Sequence, residues 1–283
     1  MASSPAKGQE ATASSAGARF SAKLEEMLAS LKSSRYQHRT DIDVLAGRFN
    51  CDCSGLLGYV LSNSFPEAFL ALKGDLAPWK SRPLAATFYQ TFDRVGEHGN
   101  GLWQRVPRLI DVRPGDLIAW RKPELEKGKS TGHVCMVAGF PLIEEDGRIR
   151  IRVIDSTNKP HENDTRRDEK NGFGAGEMWF KVNNKGRPVA YISRKGGKQI
   201  GSNLILIGRL QSGKKIAVTP NAADRDFIGL DEKEAAKLAK QRGLTWRIIS
   251  RNGVTSPVSL FRQRTKRLNF VLEQGKVERV RRG

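Results

Sequence analysis

GRFNCDCSGLLGYVL, residues 47 to 61, contains two of the chain's three cysteines with one residue between them. The apolar residues that follow Ser54 and Gly55 predict that a helix begins here. A thiol attacks well only as the thiolate, and the unpaired N–H groups and the dipole at a helix N-terminus favour that anion. Cys53 stands two or three residues ahead of the apolar helix body, which is the position that a nucleophilic cysteine needs.

A nucleophilic cysteine also needs a base, and the chain has four histidines. His133 opens a predicted strand directly after the turn STG, so its imidazole can project from a rigid sheet toward a neighbouring helix end. Asp155 ends the next predicted strand, where its carboxylate can accept a hydrogen bond from that imidazole. Cys53, His133 and Asp155 are therefore the candidate catalytic set, and Asn158 and His161 are substitutes for the third role.

Three other interpretations of the cysteines stay open. Cys51, Cys53, His133 and Cys135 form a sulfur-rich set that suits tetrahedral zinc, although zinc ligand pairs usually have two or more residues between them. Cys53 could also be a buried structural residue. A disulfide between Cys51 and Cys53 would close a strained ring. We interpret Cys51 and Cys135 as small buried fillers, and we expect neither a metal nor another cofactor.

The charge of the chain is unusually positive. Its 283 residues carry a formal charge of +19, and residues 194 to 283 hold 21 Lys and Arg against 7 Asp and Glu. Such a segment attracts polyanions, which include nucleic acid, anionic lipid and anionic cell-wall polymer, unless it is only a well-solvated surface. No aromatic-rich nucleic-acid motif accompanies the charge, so we rank nucleic acid below the cell wall. No run of about 18 apolar residues occurs, so no membrane span is expected.

The order of the predicted elements favours an α+β fold. Residues 1–18 are rich in Ser, Ala and Gly and are predicted to be a disordered tail. From Phe20 onward, apolar residues recur at helical spacing. After residue 113 the pattern changes to strands, among them RIRIRVIDST and a hairpin around residues 184–186. Helices followed by an antiparallel sheet make an α+β domain over residues 19–210.

A second, smaller domain is predicted at the C-terminus. Residues 211–222 are interpreted as a linker. The next helix has Asp231 as its N-cap, Glu234 as the capping partner and Gly243 as its stop. Two strands, LTWRIIS and RLNFVLEQGKVERV, complete a small basic α+β domain over residues 223–283 with a thin core.

Three segments in this order, DCSGLLGYVL, RPGDLIAW and TGHVCMVAG, resemble the NlpC family of papain-like cysteine peptidases, which cleave peptides in bacterial cell walls. The resemblance implies a papain-like domain in which the nucleophile opens a helix packed on an antiparallel sheet. By position it makes Cys53 the nucleophile and His133 the base, and it puts Asp155 where the family has its third polar residue. It also makes Tyr36 the candidate for the upstream tyrosine that helps to bind substrate.

Two further features bear on the substrate and on the site of action. The insertion NKPHENDTRRDEKNGFGAGEMWF is longer than the family's usual connection, and we expect His161 and Arg166 to line the cleft unless the insertion is a solvated loop. The N-terminal residues show no apolar secretory segment. The protein therefore acts inside the cell, leaves it by a route that the sequence does not show, or has lost a leader. The resemblance to wall peptidases implies action in the cell envelope, in the periplasm or outside the cell, after export.

The last 60 residues resemble small bacterial peptidase inhibitors of the potato-inhibitor-I type. That resemblance implies that a loop at residues 255–262 could insert into a protease active site. The density of Arg and Lys also suits docking to an anionic wall polymer or to a protein partner. We favour docking over inhibition.

The function that we expect is hydrolysis of an amide bond in the peptide stem of bacterial peptidoglycan, through a cysteine acyl-enzyme. One rival is a non-catalytic binder of anionic cell-wall polymer in which the thiol is incidental. A second rival is an amide hydrolase or acyltransferase of the same fold that acts on a substrate outside the wall.

Overall fold

The computed structural model describes residues 15–73, 82–126, 129–166, 171–212, 222–252, 254–255 and 267–282. The helices are α1 (Ala16–Ala29), α2 (Cys53–Ser64), α3 (Pro66–Lys73), α4 (Ala85–Val95), α5 (Ala222–Arg225) and α6 (Glu232–Gln241), with a 3-10 turn at Leu109–Asp111. The strands are β1 (Ser33–Arg35), β2 (Asp41–Asp43), β3 (Arg48–Asn50), β4 (Trp103–Arg105), β5 (Leu117–Arg121), β6 (Gly132–Val137), β7 (Leu142–Ile143), β8 (Ile149–Thr157), β9 (Gly172–Val182), β10 (Pro188–Ile192), β11 (Leu204–Leu210), β12 (Thr245–Arg251), β13 (Val254–Thr255), β14 (Arg267–Glu273) and β15 (Lys276–Arg282). These elements make a mixed α+β fold, as predicted.

The largest sheet has eight strands in the order β10-β9-β8-β6-β5-β11-β4, with β7 beside β8. Its pairings are antiparallel, in agreement with the sequence. The alternation in RIRIRVIDST follows the pleat, because Ile149, Ile151 and Val153 are buried and the intervening arginines are partly exposed. His133 and Asp155 both belong to this sheet, His133 in β6 and Asp155 in β8.

Two hydrophobic cores cover the two faces of this sheet. One core joins α1, α2, α3 and α4 to the sheet through residues such as Phe20, Leu57, Phe88 and Ile154. The other core lies on the opposite face and includes Trp120. Strands β10 and β11 are far apart in the strand order and yet contact each other. The sheet therefore curls around the second core.

The helix that carries Cys53 is fixed at its first residue. The Asp52 side chain caps α2 by accepting a hydrogen bond from the backbone N–H of Gly55 at 2.7 Å. Leu56 and Leu57 are fully buried, and α2 packs against β6 and β8. The start of this helix is therefore held against the strands that bear His133 and Asp155.

The first helix starts earlier than the sequence predicted. Residues 1–14 of the expected tail lie outside the described residues, but residues 16–18 belong to α1, and Ser15 Oγ accepts from the N–H of Ala18 at 3.2 Å. Gly17 is buried against Gly115, where an added Cβ would lie 2.0 Å from the Gly17 carbonyl oxygen. The absence of side chains at these glycines permits this contact. The helix start was missed because a segment rich in Ser, Ala and Gly was interpreted as a disordered tail.

The sheet β1-β3-β2 was not predicted. Its strands have three residues each, which is too short for a hydrophobic period to be recognised. The elements α3, α4 and β4 follow α2 along the chain.

The C-terminal residues form a third core around Phe227, Leu268 and Phe270. The predicted capping box of α6 is confirmed, since Asp231 accepts from the N–H of Glu234 and Glu234 accepts from that of Asp231. RLNFVLEQGKVERV is two strands, not one, because Gln274 and Gly275 adopt positive φ values of 50° and 79° and reverse the chain.

Two further predictions concern residues that the structure describes only in part. Most of the expected linker at 211–222 lies outside the described residues. The same is true of the expected inhibitory loop at 255–262, apart from its first residue. Among the helices that are described, none combines the length and the apolarity needed to cross a lipid bilayer.

Candidate active site

Cys53 is the first residue of α2, and it is 4% exposed. The first N–H groups of an α-helix have no acceptor within the helix, so they direct partial positive charge toward this thiol. The preceding residue, Asp52, fixes the helix start. The local sequence DCSG thus creates the setting that was predicted for a nucleophile.

His133 is the second residue of β6, and its imidazole lies between two partners. Its Nε2 is 2.6 Å from Oδ2 of Asp155, and the Cys53 side chain is close enough to the imidazole to raise its pKa. Because Nε2 faces the carboxylate, Nδ1 is the ring nitrogen left for the thiol. The structure therefore brings the three residues of the predicted catalytic set together.

The charges on both sides of His133 alter its protonation. Burial alone would lower the pKa of this imidazole, but the negative charge of a Cys53 thiolate and the bond to Asp155 raise the pKa from 6.5 to about 10. The ring also packs against that of Trp120 in a tilted arrangement, with a centroid distance of 4.9 Å and an angle of 38° between the planes. This environment favours an imidazolium next to the thiol.

Asp155 is fully buried in β8, which continues for two residues beyond it to Thr157. Its Oδ2 also lies 2.9 Å from Nε2 of His161, and its Oδ1 accepts a hydrogen bond from Arg166. Burial alone would raise the pKa of the carboxyl, but the charges of His161 and Arg166 and the bond from His133 lower it well below its usual value. The carboxylate therefore stays ionised beside His133.

A cleft of about 210 Å³ leads to Cys53. Tyr36 and Arg82 line it, together with residues 129–132 just ahead of and at the start of β6. A groove of about 490 Å³ elsewhere, around Arg113 and Phe140, contains none of the predicted site residues. The smaller cleft is therefore the one that gives a substrate access to the thiol.

Tyr36 lies on this cleft next to Cys53, where the resemblance placed a substrate-binding tyrosine. Burial, followed by the charges of Cys53 and Asp52, raises the pKa of its hydroxyl, so the phenol stays protonated and can donate a hydrogen bond. Its backbone N–H donates to Asn171 Oδ1 at 2.9 Å, and its ring contacts that of His38 edge-on. These contacts fix the phenol at the cleft wall.

His161 and Arg166 occupy a different place from the one expected. Their side chains are only 4% and 2% exposed, and neither lines the cleft beside Cys53. Both instead contact the carboxylate of Asp155. The two side chains therefore contact the carboxylate of Asp155 and do not line the cleft.

Sequence reasoning missed a second polar network at the cleft. Arg82 donates to Asp52 Oδ2 at 2.6 Å, to Ser54 Oγ at 2.7 Å and to the carbonyl oxygen of His38 at 3.0 Å. The preference of aspartate for helix N-caps could have identified Asp52. Nothing local identifies Arg82, since 28 to 44 residues separate it from these partners.

The other two cysteines are buried free thiols, as expected for fillers. Burial raises the pKa of the Cys51 thiol to about 12 and that of Cys135 well above its usual value. Within the described part of the chain, no group of three or more His, Cys, Asp or Glu side chains is arranged to hold a metal ion.

No protein-family model, no curated protein and no solved structure matches this chain.

Proposed function

We propose that this chain is a cysteine peptidase or amidase that hydrolyses an amide bond in the peptide stem of bacterial peptidoglycan. The observation that carries the proposal is the contact series from Cys53 through His133 to Asp155. A helix-terminal thiol, a base close to it and a third group that orients the base are the parts that nucleophilic catalysis requires.

A papain-like fold of the NlpC type is part of the proposal. Its support is that Cys53 opens a helix which packs against β6 and β8 of an antiparallel sheet. The three segments that resemble the family contribute the nucleophile helix, β5 and β6, in the family's order. The proposed fold is thus supported by the packing of the elements as well as by the three sequence segments.

The chemical steps follow from the contacts. Cys53 Sγ attacks the amide carbonyl carbon while His133 holds the thiol proton, and the backbone N–H of Cys53 at the helix start stabilises the tetrahedral oxyanion. The C–N bond then breaks, and the imidazolium donates its proton to the leaving amine. Water, deprotonated by His133, attacks the thioester and releases a carboxylic acid. The thiol is regenerated, and Asp155 orients the imidazole throughout.

A charged peptide is the substrate class that suits the cleft. Its lining includes Arg82, Lys129 and Glu126, together with the Tyr36 phenol. Peptidoglycan stems carry both carboxylates and amines, which can pair with such a mixed set of side chains. The resemblance to wall peptidases supports the same substrate.

Digestion of purified sacculi tests the proposal. Mass spectrometry of the soluble fraction is expected to show stem peptides with newly formed termini for the wild-type chain and none for Cys53→Ala. Cys51→Ala is the matched control, because it removes a buried thiol that has no part in the chemistry, and it should still release the peptides. Release by folded Cys53→Ala would refute the proposal.

The basic C-terminal residues support a docking role as part of the same proposal. Residues 194–283 carry most of the net positive charge, which would hold the chain on an anionic polymer by a salt-sensitive attraction. Full-length Cys53→Ala should co-sediment with sacculi at low ionic strength and dissociate at high ionic strength. Binding that does not change with salt would contradict this role.

A further inference from the structure

The Asp155 carboxylate has other partners besides His133. His161 Nε2 lies 2.9 Å from the same oxygen that His133 contacts, and Arg166 donates to the other oxygen and to the Asp155 carbonyl oxygen. Arg166 also donates to the carbonyl oxygen of Gly172 at 2.7 Å. Both oxygens of the buried carboxylate thus have a partner among these two residues.

A tight turn presents His161 and Arg166 to the carboxylate together. The Asp164 side chain accepts from the backbone N–H groups of His161 and Arg166, at 2.6 and 2.7 Å, and from the Arg166 guanidinium at 2.6 Å. Asn163 has a φ of 47°, in the left-handed region that such a reversal needs. The turn therefore orders both side chains before any substrate is present.

Two glycines of β9 leave the space that these side chains fill. A Cβ added to Gly174 would lie 2.6 Å from Cγ of Arg166, and one added to Gly176 would lie 2.7 Å from Cβ of His161. Neither glycine has a positive φ, so space and not backbone conformation requires them. Glycine inside a strand weakens the strand and marks close approach.

The imidazole of His161 has one polar contact. Its Nδ1 is buried and has no hydrogen-bond partner among the described residues, while Nε2 contacts Asp155. A buried polar atom without a partner is unfavourable. The contact with Asp155 is therefore the one that explains a histidine in this place.

The charged groups around Asp155 come from three elements. His133 faces it from β6 and Cys53 lies beyond His133 on α2. His161 and Arg166 face it from the turn, with Asp164 behind Arg166. The charges nearest to the carboxylate are positive, and they oppose the effect of burial.

We propose that His161 and Arg166 are positioning residues that hold Asp155 as a carboxylate in one orientation, with its charge directed at His133. This inference rests on the proposed function and deepens it, because it assigns two residues of the insertion to the support of the catalytic base. Their action on the chemistry passes through Asp155, and neither residue contacts the substrate.

The rate at which iodoacetamide alkylates Cys53 as a function of pH tests this role. In Arg166→Met the carboxylate loses an adjacent cation, so Asp155 takes up a proton at higher pH and His133 loses its negative partner. The acidic limb of the rate profile should then move to higher pH, because the imidazolium that favours the thiolate is less stable. Arg166→Lys keeps the charge and should move the limb less. His161→Gln keeps an N–H donor without the charge and should move it in the same direction.

Two controls and a second measurement make the outcome decisive. Arg152→Met removes a partly exposed arginine of β8 that pairs with Glu25, and His98→Gln removes an exposed histidine. Both should reproduce the wild-type profile. Circular dichroism establishes that each variant is folded. Wild-type profiles in folded Arg166→Met and folded His161→Gln would overturn the inference, and if Arg166→Met does not fold, a wild-type profile in folded His161→Gln would overturn it.

The alkylation measurement uses no wall substrate, so its failure is separate from failure of the proposed function. If the profiles move but sacculi stay intact with the wild-type chain, the positioning role stands and the peptidoglycan assignment fails. If sacculi are digested and the profiles do not move, the positioning role alone is wrong.

Discussion

Asp155 and Gly174 are directly opposite each other in the antiparallel pair of β8 and β9. Asp155 thus faces a position without a side chain, and the Arg166 side chain lies over that position. The absence of a side chain at Gly174 leaves room for Arg166 beside the carboxylate of Asp155.

Gly174→Ala is expected to disturb the site without changing a polar group. The new methyl group would meet the Arg166 side chain at 2.6 Å, and overpacking of this kind costs about 1–3 kcal/mol. Urea unfolding should show that loss, and peptide release should fall as Arg166 is displaced. The control is Gly201→Ala, whose added Cβ would have its nearest neighbour at 3.6 Å. Equal stability of the two variants would contradict this packing argument.

The pH dependence of turnover should report the raised pKa of His133. The alkaline limb of kcat/KM reflects the acid of the free enzyme, and here that acid is an imidazolium with a pKa of about 10. Activity should therefore persist well above pH 6.5 and decline near pH 10. In Asp155→Asn one of the groups that raise this pKa is neutral, so the limb should move to lower pH and the rate should fall by about 10²–10⁴-fold. A wild-type limb near pH 6.5 would show that the imidazole is not perturbed in this way.

Arg82 should contribute to stability through the helix that bears the nucleophile. Arg82→Met removes the hydrogen bonds to Asp52, Ser54 and the His38 carbonyl, and bonds to charged groups are worth about 1.5–3 kcal/mol. We expect a loss of about 2 kcal/mol in the free energy of unfolding. Arg48→Met is the control, since Arg48 pairs with Asp41 where both side chains are more than 40% exposed. That exposed pair should contribute about 0–1 kcal/mol, and an equal loss in both variants would contradict the expectation.

The parts of the fold and of the site that could be predicted are those that depend on local sequence patterns. The α2 helix, the alternation in β8 and the capping box of α6 each depend on residues within one turn or one strand, and all three are found. Cys53 and His133 could be selected because each stands at the start of such an element, and Asp155 because it lies near the end of β8.

The remainder depends on contacts that no local pattern encodes. Arg82 reaches back 28 and 30 residues to Ser54 and Asp52. His161 and Arg166 were expected either at the cleft or in a solvated loop, since a polar insertion usually lies at a surface. The two glycines of β9 instead give them a buried place beside Asp155.

The reactivity of the three cysteines in the native wild-type chain tests the central claim most directly. Iodoacetamide is applied briefly at neutral pH, and peptide mapping measures the alkylated fraction at each position. The account predicts rapid modification of Cys53, little modification of Cys51 and Cys135, whose pKa values burial raises, and slow modification of Cys53 in His133→Gln. Modification of Cys53 no faster than that of a simple thiol, or a rate unchanged in His133→Gln, would contradict it.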